Sequence, residues 1–545
     1  MIQRRRSWLV WLAGASALLG GVATVMAGGV AGWVSPMLKV GSEEKISCSE
    51  RSEWSLTALR NEHESAHLLL TADAAGIDAA TVRIGDFSGP NGAKIAAAKV
   101  RIRRAHYLHL TRHVPRPVWL PDALPPYEGA FAVAPNRNQS LYFDVEIPAD
   151  AVPGAYCASV ELTLDRAPCR LSLSLQVLST VLPSTPSGES AYALWGEQPE
   201  LGRWRTEPQH LAPYPQIAPG SDAGRRLYER LYWFLIAYRV QPDDLPVPPD
   251  SPEADRFLND PRVKSYRIHY DPSRPEEFVA RCRRLRALGR LPRGYVYTLD
   301  EPLPQDYQKC VAYSEKLHAL VPDIRWVLTM NTPRLPVLES HVDIWCPVLS
   351  QFDPDYFRTR KEKGETVWWY TCCNPGPPYP TYLIADAAIS PRLLGWLQAK
   401  YEVGGMLYWA TNIWYKYDPD RNRYVPRDIW RDPSAFPKAD GDGYLFYPAA
   451  DPAAEPIPSL RLEMIRQGNE DLDTLALLRS ALDAAARQVG YPDRPGQRRI
   501  YEIVNRIAPG MTDFTKDPAE LETTRLRVLD ELENLRCGVP AVITT

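Results

Sequence analysis

An excess of charge of one sign is missing from this chain of 545 residues. Lys and Arg number 63 and Asp and Glu number 66, which gives a formal net charge of −3. Nucleic-acid-binding proteins usually carry an excess of basic residues, so no nucleic acid is expected as a partner. Hydrophobic residues make up 45% of the chain and charged residues 24%, and this composition excludes wholesale disorder. The length corresponds to about two to four globular domains.

Motifs for metal, phosphate and serine-nucleophile chemistry are also absent. The nine cysteines and nine histidines form no CxxC, HExxH or other cluster with metal-ligand spacing. The sequence contains no G-x-S-x-G motif and no glycine-rich phosphate loop. We therefore expect neither a metal nor an organic cofactor. Cys157 and Cys169 flank a hairpin-like segment and could pair, whereas a disulfide between the adjacent Cys372 and Cys373 would be strained.

Long hydrophobic runs occur only at the N-terminus. Three arginines, Arg4 to Arg6, precede an uncharged stretch from Ser7 to Pro36, which predicts an export signal over residues 1–36. The stretch is long enough to serve instead as an uncleaved membrane anchor. Twin-arginine export and ordinary secretion both remain open. We expect a periplasmic or extracellular protein that touches the membrane only through this segment.

Proline and the large aromatic residues are abundant. The chain has 52 prolines, which indicates many ordered loops, together with 16 tryptophans and 28 tyrosines. Flat aromatic faces are surfaces on which sugar rings stack, but on composition alone ordinary core packing explains them better.

Hydrophobic periodicity divides the rest of the chain into three regions. Residues 37–185 show short runs of period two separated by turns, which predicts an antiparallel β-sandwich. Residues 186–430 alternate strand and helix patterns over seven or eight units, as expected for a (β/α)₈ barrel. An open doubly wound sheet is the alternative, although the glycine-rich first turn of such sheets is missing. Residues 431–545 predict a short strand followed by helices.

Two adjacent acids end the fourth strand pattern of the predicted barrel. Asp300 and Glu301 follow the run RGYVYTL and precede Pro302. Active sites of these barrels form at the carboxyl ends of the strands. Two close carboxyl groups rarely ionise together, and glycoside hydrolysis needs one protonated acid beside a charged one. The competing interpretation is that Asp300 caps the following helix or binds an arginine, and that Glu301 is solvated.

Polar and aromatic residues at the other strand ends predict a sugar pocket. The candidates are Asn331, Tyr370, Trp409, Asn412 and Trp414. Aromatic faces stack on the C–H surface of a sugar, and amides bond its hydroxyl groups. Each tryptophan by itself is better explained as core, so the prediction depends on the combination at one rim.

Several segments resemble glycoside hydrolase family 123 and the related proteins that carry the DUF4091 domain. The matching motifs are RNEHESAHLLL (Arg60 to Leu70), SLYFDVEIPADAVPGAY, YTLDEP (Tyr297 to Pro302), VWWYTCCNPGPPYP, GGMLYWATNIW and, most specifically, GYLFYP followed by PIPSLRLEMIRQGNEDLDTLALL. The resemblance implies a sandwich, a barrel and a helical extension. It also implies retaining hydrolysis of a terminal β-linked N-acetylhexosamine, typically N-acetylgalactosamine, in which the acetamido oxygen of the substrate is the nucleophile. Glu301 would then be the general acid and Asp300 the residue that orients the acetamido group.

Two other functional hypotheses remain open from the residues. One is a non-catalytic carbohydrate-binding or envelope protein on the same scaffold. The other is a glycosidase whose nucleophile is a distant carboxylate such as Asp353 or Asp355. A carboxylate about 5–5.5 Å from Glu301 across the pocket would support it.

Overall fold

A computed structural model describes residues 28–46, 51–196, 209–491 and 494–536. It confirms the predicted fold class: an N-terminal sheet-rich region, a barrel of parallel strands and C-terminal helices. The strands of the first region are β1 (Gly29–Val34), β2 (Glu53–Arg60), β3 (His63–Ala72), β4 (Ile77–Ile84), β5 (Phe87–Ser88), β6 (Lys94–Ile95), β7 (Val100–Arg104), β8 (Tyr107–Leu110), β9 (Val118–Pro121), β10 (Phe131–Val133), β11 (Asn138–Glu146), β12 (Gly154–Leu164) and β13 (Ala167–Val181).

Two main sheets form this region. One has the order β1-β3-β11-β7, and the other has the order β10-β4-β12-β13-β2 with β5 and β6 beside it. Alternating apolar residues fill the space between the sheets, among them Trp33, Leu68, Phe143, Leu162 and Leu173, all fully or nearly fully buried. Because successive side chains point to opposite faces of a strand, each strand buries one face between the sheets.

Three details differ from the sequence-based prediction. The motif around Arg60 is two strands in different sheets, because Asn61 adopts a left-handed conformation (φ 64°) that ends β2 and starts β3 in a new direction. Strand β1 lies inside the segment assigned to export and pairs with β3, so the folded body begins before residue 37. Cys157 faces Ser174 and Cys169 faces Leu162 across β12 and β13, and both thiols are free because the register separates them.

Seven parallel strands form the barrel. They are β14 (Glu189–Tyr192), β15 (Tyr266–Arg267), β16 (Gly294–Tyr297), β17 (Trp326–Met330), β18 (Ile344–Pro347), β19 (Thr366–Thr371) and β20 (Gly405–Tyr408). Their order, β14-β20-β19-β18-β17-β16-β15, leaves a gap between β14 and β15.

The segment 241–243 lies in that gap. The Tyr192 amide donates to the Gln241 carbonyl (3.0 Å), the Asp243 amide to Tyr192 (3.2 Å) and the Arg267 amide to Asp243 (2.8 Å). Pro242 has no N–H to donate, which is why this eighth position forms no full ladder. The predicted barrel thus has one irregular early unit.

Helices follow most barrel strands and then form the C-terminal region. The barrel helices are α1 (Asp222–Ala237), α2 (Asp255–Leu258), α3 (Pro275–Ala287), α4 (Tyr307–Leu320), α5 (Pro354–Glu362) and α6 (Ile389–Tyr401). The later elements are β21 (Tyr415–Asp418), β22 (Arg423–Pro426), β23 (Phe446–Tyr447), β24 (Ile457–Pro458), α7 (Leu460–Gln488), α8 (Pro495–Ile507) and α9 (Pro518–Arg536). Gly395 of α6 and Gly468 of α7 face each other so closely that a side chain on Gly395 would overlap the Gly468 carbonyl.

A buried group of charges, here called the interdomain ion cluster, joins the three regions. Its members are Glu62 and Glu64 of the sandwich, Arg392 of α6, Asp471 of α7 and Arg525 of α9. Arg525 donates to Glu62 (2.6 Å) and Asp471 (3.0 Å), and Arg392 donates to Asp471 (2.6 Å). All five side chains are shielded from water, so the helical extension acts as the contact between sandwich and barrel.

No helix in the described part of the chain has both the length and the hydrophobicity to cross a bilayer. Residues 1–27, which hold most of the predicted export signal, lie outside that part.

Candidate active site

Asp300 and Glu301 lie just beyond the carboxyl end of β16 and are anchored by hydroxyl groups from β16, β17 and β19. Asp300 Oδ1 accepts a hydrogen bond from the Tyr297 hydroxyl (2.9 Å) and another from Thr329 Oγ1 (2.7 Å). The same Thr329 oxygen accepts the Glu301 amide proton (3.1 Å). One threonine on β17 therefore fixes both acids.

Glu301 is held in a strained position. Its backbone is left-handed (φ 43°), a conformation that costs a non-glycine residue energy and is found often at active sites. The Tyr370 hydroxyl of β19 donates a short hydrogen bond to Glu301 Oε1. Burial, and next the bond to Glu301, raises the pKa of Tyr370, so its phenol keeps the proton that it donates.

Strand alternation explains why these side chains meet. Tyr297, Val327, Cys346, Tyr370 and Leu407 belong to one apolar cluster inside the barrel. A position two residues along a strand faces the same side, so Thr329 follows Val327 into the barrel interior. Tyr297 and Thr329 were missed by the sequence reasoning, although their place in the alternating pattern, directly before the strand ends, could have revealed them.

The predicted sugar-binding residues divide into two groups. Tyr370 contacts Glu301, as described. Alternation along β17 and β20 directs Asn331 and Trp409 towards the same mouth, where Asn331 is exposed and Trp409 is half-buried. The Trp409 indole packs edge to face against Trp195, a further aromatic residue that the sequence reasoning missed.

Asn412 and Trp414 lie in the interior. The side-chain amide of Asn412 forms two hydrogen bonds with the backbone of Trp195. Its Oδ1 accepts from the Trp195 N–H (2.8 Å), and its Nδ2 donates to the Trp195 carbonyl (2.8 Å). The Trp414 indole donates to the Phe446 carbonyl (3.1 Å), and both side chains are almost fully buried. This corrects the expectation for both residues, because their polar groups are used inside the protein. They support the pocket instead of lining it.

The distant carboxylates have structural partners. Asp353 caps α5 by accepting from the amides of Asp355 (3.1 Å) and Tyr356 (3.2 Å), and Arg334 donates to it (2.8 Å). Asp355 is exposed and pairs with Arg358 (3.2 Å). A carboxylate engaged in capping and an ion pair is a poor nucleophile, so neither residue replaces the acid pair. No group of His, Cys, Asp and Glu within the described residues could hold a metal ion.

A buried carboxyl group orients the Trp409 indole. Asp442 Oδ1 accepts from Trp409 Nε1 (2.9 Å) and from the Tyr408 hydroxyl (3.1 Å). Burial raises the pKa of Asp442 to about 6, so its charged form destabilises the fold at neutral pH.

Replacement of Asp442 by asparagine is therefore expected to stabilise the protein at pH 7.5, by about 1–3 kcal/mol, since the amide keeps an acceptor and carries no charge. A carboxyl group whose pKa is raised by folding lowers the free energy of unfolding, and the full loss is reached above its pKa in the folded protein. The gain should shrink as the pH falls through 6 and vanish below the ordinary value of 3.8. Guanidinium unfolding at pH 7.5 and pH 5 measures it. A variant that is less stable at pH 7.5 would show that the charge has a stabilising partner.

Comparison with known proteins shows which family the site resembles. Residues 283–478, which include Asp300, Glu301 and Tyr370, match the family model described as Glycoside hydrolase 123, catalytic domain. This part of the chain is similar to the catalytic domain of glycoside hydrolase family 123. No curated protein matches the chain. The family-123 match starts within α3 and ends within α7.

The fold of the whole chain is similar to that of a solved family 123 glycoside hydrolase from Clostridium perfringens, studied for glycolipid glycan hydrolysis. The TM-score is 0.69 at 15% sequence identity, over 93% of this chain and 99% of that one. A GH2 β-galacturonidase from Eisenbergiella tayi matches with a TM-score of 0.30 at 10% identity, over 75% and 69% of the two chains. A β-glucuronidase from Parabacteroides merdae matches with 0.21 at 10%, over 64% and 45%. The last two scores are too low to support any argument.

Proposed function

We propose that the protein is an exported, retaining β-N-acetylhexosaminidase that uses substrate-assisted catalysis, with terminal N-acetylgalactosamine as its sugar. The observation that carries this proposal is the anchoring of two adjacent carboxyl groups at the mouth of a barrel whose later part matches the family-123 catalytic domain. A carbohydrate-binding scaffold without catalysis would not require both acids to be held this tightly.

Asp300 is suited to orient the acetamido group. Its Oδ1 accepts two hydroxyl protons, which fixes the plane of the carboxylate and leaves Oδ2 for a ligand. Oδ2 then accepts the acetamido N–H, and the negative charge stabilises the positive oxazolinium ring as it forms. Burial, and next the charge of Asp300, raises the pKa of Tyr297, so this phenol remains a donor to Asp300 throughout.

Glu301 is suited to transfer the proton. It gives a proton to the leaving oxygen in the first step and takes one from water in the second. Its Oε1 is engaged by Tyr370, so Oε2 is the oxygen that faces the substrate. Neither acid has to attack the sugar, which is why the two can be sequence neighbours. Asn331 and Trp409 are proposed to bind the sugar beside them.

Hydrolysis of aryl β-N-acetylgalactosaminide and β-N-acetylglucosaminide tests the proposal directly. We expect activity with retained anomeric configuration, faster on the galacto sugar, and inhibition by a thiazoline that mimics the oxazoline intermediate. Activity that the thiazoline does not inhibit would indicate that a protein side chain is the nucleophile. A protein that binds both sugars without cleaving either would support the non-catalytic alternative.

A further inference from the structure

A histidine with no part in the proposed mechanism, His269, lies two residues beyond the end of β15, the strand beside β16. Strand β15 pairs with β16 in parallel, with Arg267 opposite Tyr295. The Ile268 amide continues the pairing by donating to Tyr295 (2.7 Å). By continued alternation, His269, two residues after Arg267, falls level with Tyr297 on the neighbouring strand, about 4.8 Å away. Tyr297 donates to Asp300, so this register places His269 beside the acid pair.

The His269 ring is held by a buried ion pair. Its Nε2 lies 2.7 Å from Asp244 Oδ1, and the same carboxylate accepts from Arg267 Nε (2.9 Å) and Nη2. Asp244 and Arg267 are 3% and 7% exposed. A carboxylate is an acceptor, so the proton on the ring is assigned to Nε2. In the neutral ring Nδ1 then carries the lone pair.

The second ring nitrogen is what distinguishes His269 from a structural histidine. His269 keeps 22% of its side chain exposed, and Nδ1 has no partner among the described residues. His318 on α4 provides a contrast in the same barrel, at a similar 27% exposure. Its Nε2 meets Asp343 (3.0 Å) while its Nδ1 meets the Ser314 carbonyl (2.9 Å), so both nitrogens serve the fold.

We propose that His269 is a specificity-determining residue, whose Nδ1 accepts a hydrogen bond from a hydroxyl group of the terminal sugar. Asp244 and Arg267 are positioning residues that fix the ring and its proton. The proposal rests on the proposed function, since the ligand is the sugar cleaved by Asp300 and Glu301. An acceptor at this point favours sugars with a hydroxyl group directed at β15.

The test measures kcat/KM for His269→Ala on an aryl β-N-acetylgalactosaminide and on its 3-, 4- and 6-deoxy analogues. Loss of one hydrogen bond should lower the value on the parent sugar by about 10-fold. On the one deoxy analogue that lacks the bonded hydroxyl group, kcat/KM of His269→Ala should equal that of the wild type. His269→Asn, whose amide oxygen can replace Nδ1, should recover most of the loss. Asp244→Asn should show the same selective loss as His269→Ala, because the ring proton is no longer fixed.

His318→Ala is the matched control, and its kcat/KM should stay at the wild-type value on every sugar. An equal loss for His269→Ala on the parent and all three analogues would overturn the proposal, and so would no loss on the parent. If wild-type protein cleaves none of the parent glycosides, the proposed function itself fails, and this inference fails with it. If the wild type is active but His269→Ala lowers kcat/KM equally on every sugar or not at all, only the proposed role of His269 is contradicted.

Discussion

Replacement of Glu301 by glutamine is expected to lower kcat by about 10²–10⁴-fold on substrates with poor leaving groups. The glutamine oxygen can still accept the Tyr370 hydroxyl, so the geometry of the site should persist. Only the transferable proton is lost. The effect should be much smaller on a dinitrophenyl glycoside, whose leaving group departs without protonation. Steady-state kinetics on a series of aryl glycosides measures this dependence.

The same substitution at Glu315, an exposed residue of α4, serves as the control and should leave kcat unchanged. A Glu301→Gln variant with wild-type kcat on poor leaving groups would exclude Glu301 as the general acid. A variant that loses activity equally on all leaving groups would instead indicate a disrupted pocket.

Replacement of Arg461 by methionine is expected to destabilise the protein by about 3–5 kcal/mol, or to prevent folding. Arg461 is almost fully buried and pairs with Asp122 of the sandwich region through two bonds (2.8 and 2.9 Å). It also donates to the carbonyls of Tyr382, Gly441 and Tyr444 (2.7–2.9 Å). Its loss leaves a buried carboxylate and three carbonyls without these donors. Urea unfolding gives the difference in stability.

Arg499→Met is the comparison variant, because it removes the same kind of arginine–carboxylate pair at the surface of the protein. Arg499 pairs with Glu531 with similar geometry (2.8–3.2 Å), but about a third of its side chain is exposed. Loss of such a pair should cost at most about 1 kcal/mol. If both variants lose the same stability, burial is not the reason that Arg461 matters.

Most of the fold could be predicted from the sequence, because the two-residue hydrophobic period of the strands and the alternation of strands with helices are local signals. The irregular second barrel unit could be anticipated only as a weak pattern, because three backbone hydrogen bonds between distant segments close the gap around Pro242. The turn at Asn61 could not be read from the sequence. The segment from Trp54 to Ala72 contains no glycine or proline to mark a turn, and only the left-handed backbone of Asn61 separates the two strands.

The acid pair could be predicted from its position, but its surroundings could not. Asp300 and Glu301 end an apolar strand, which is visible in the sequence, whereas the bonds from Thr329 and Tyr370 depend on the register between strands. Asn412 and Trp414 show the opposite error. Both were expected on the last barrel strand, but β20 ends at Tyr408, and the two side chains are buried in the segment that follows it.

The interdomain ion cluster makes the order of synthesis matter. Glu62 and Glu64 are made early, but their partner Arg525 lies near the end of the chain and reaches them through α9. A fragment that stops at residue 478, where the family match ends, would lack Arg525 and leave the buried acids without their countercharge. Such a fragment is therefore expected to be less stable than the whole chain, because two buried acids have lost their guanidinium partner.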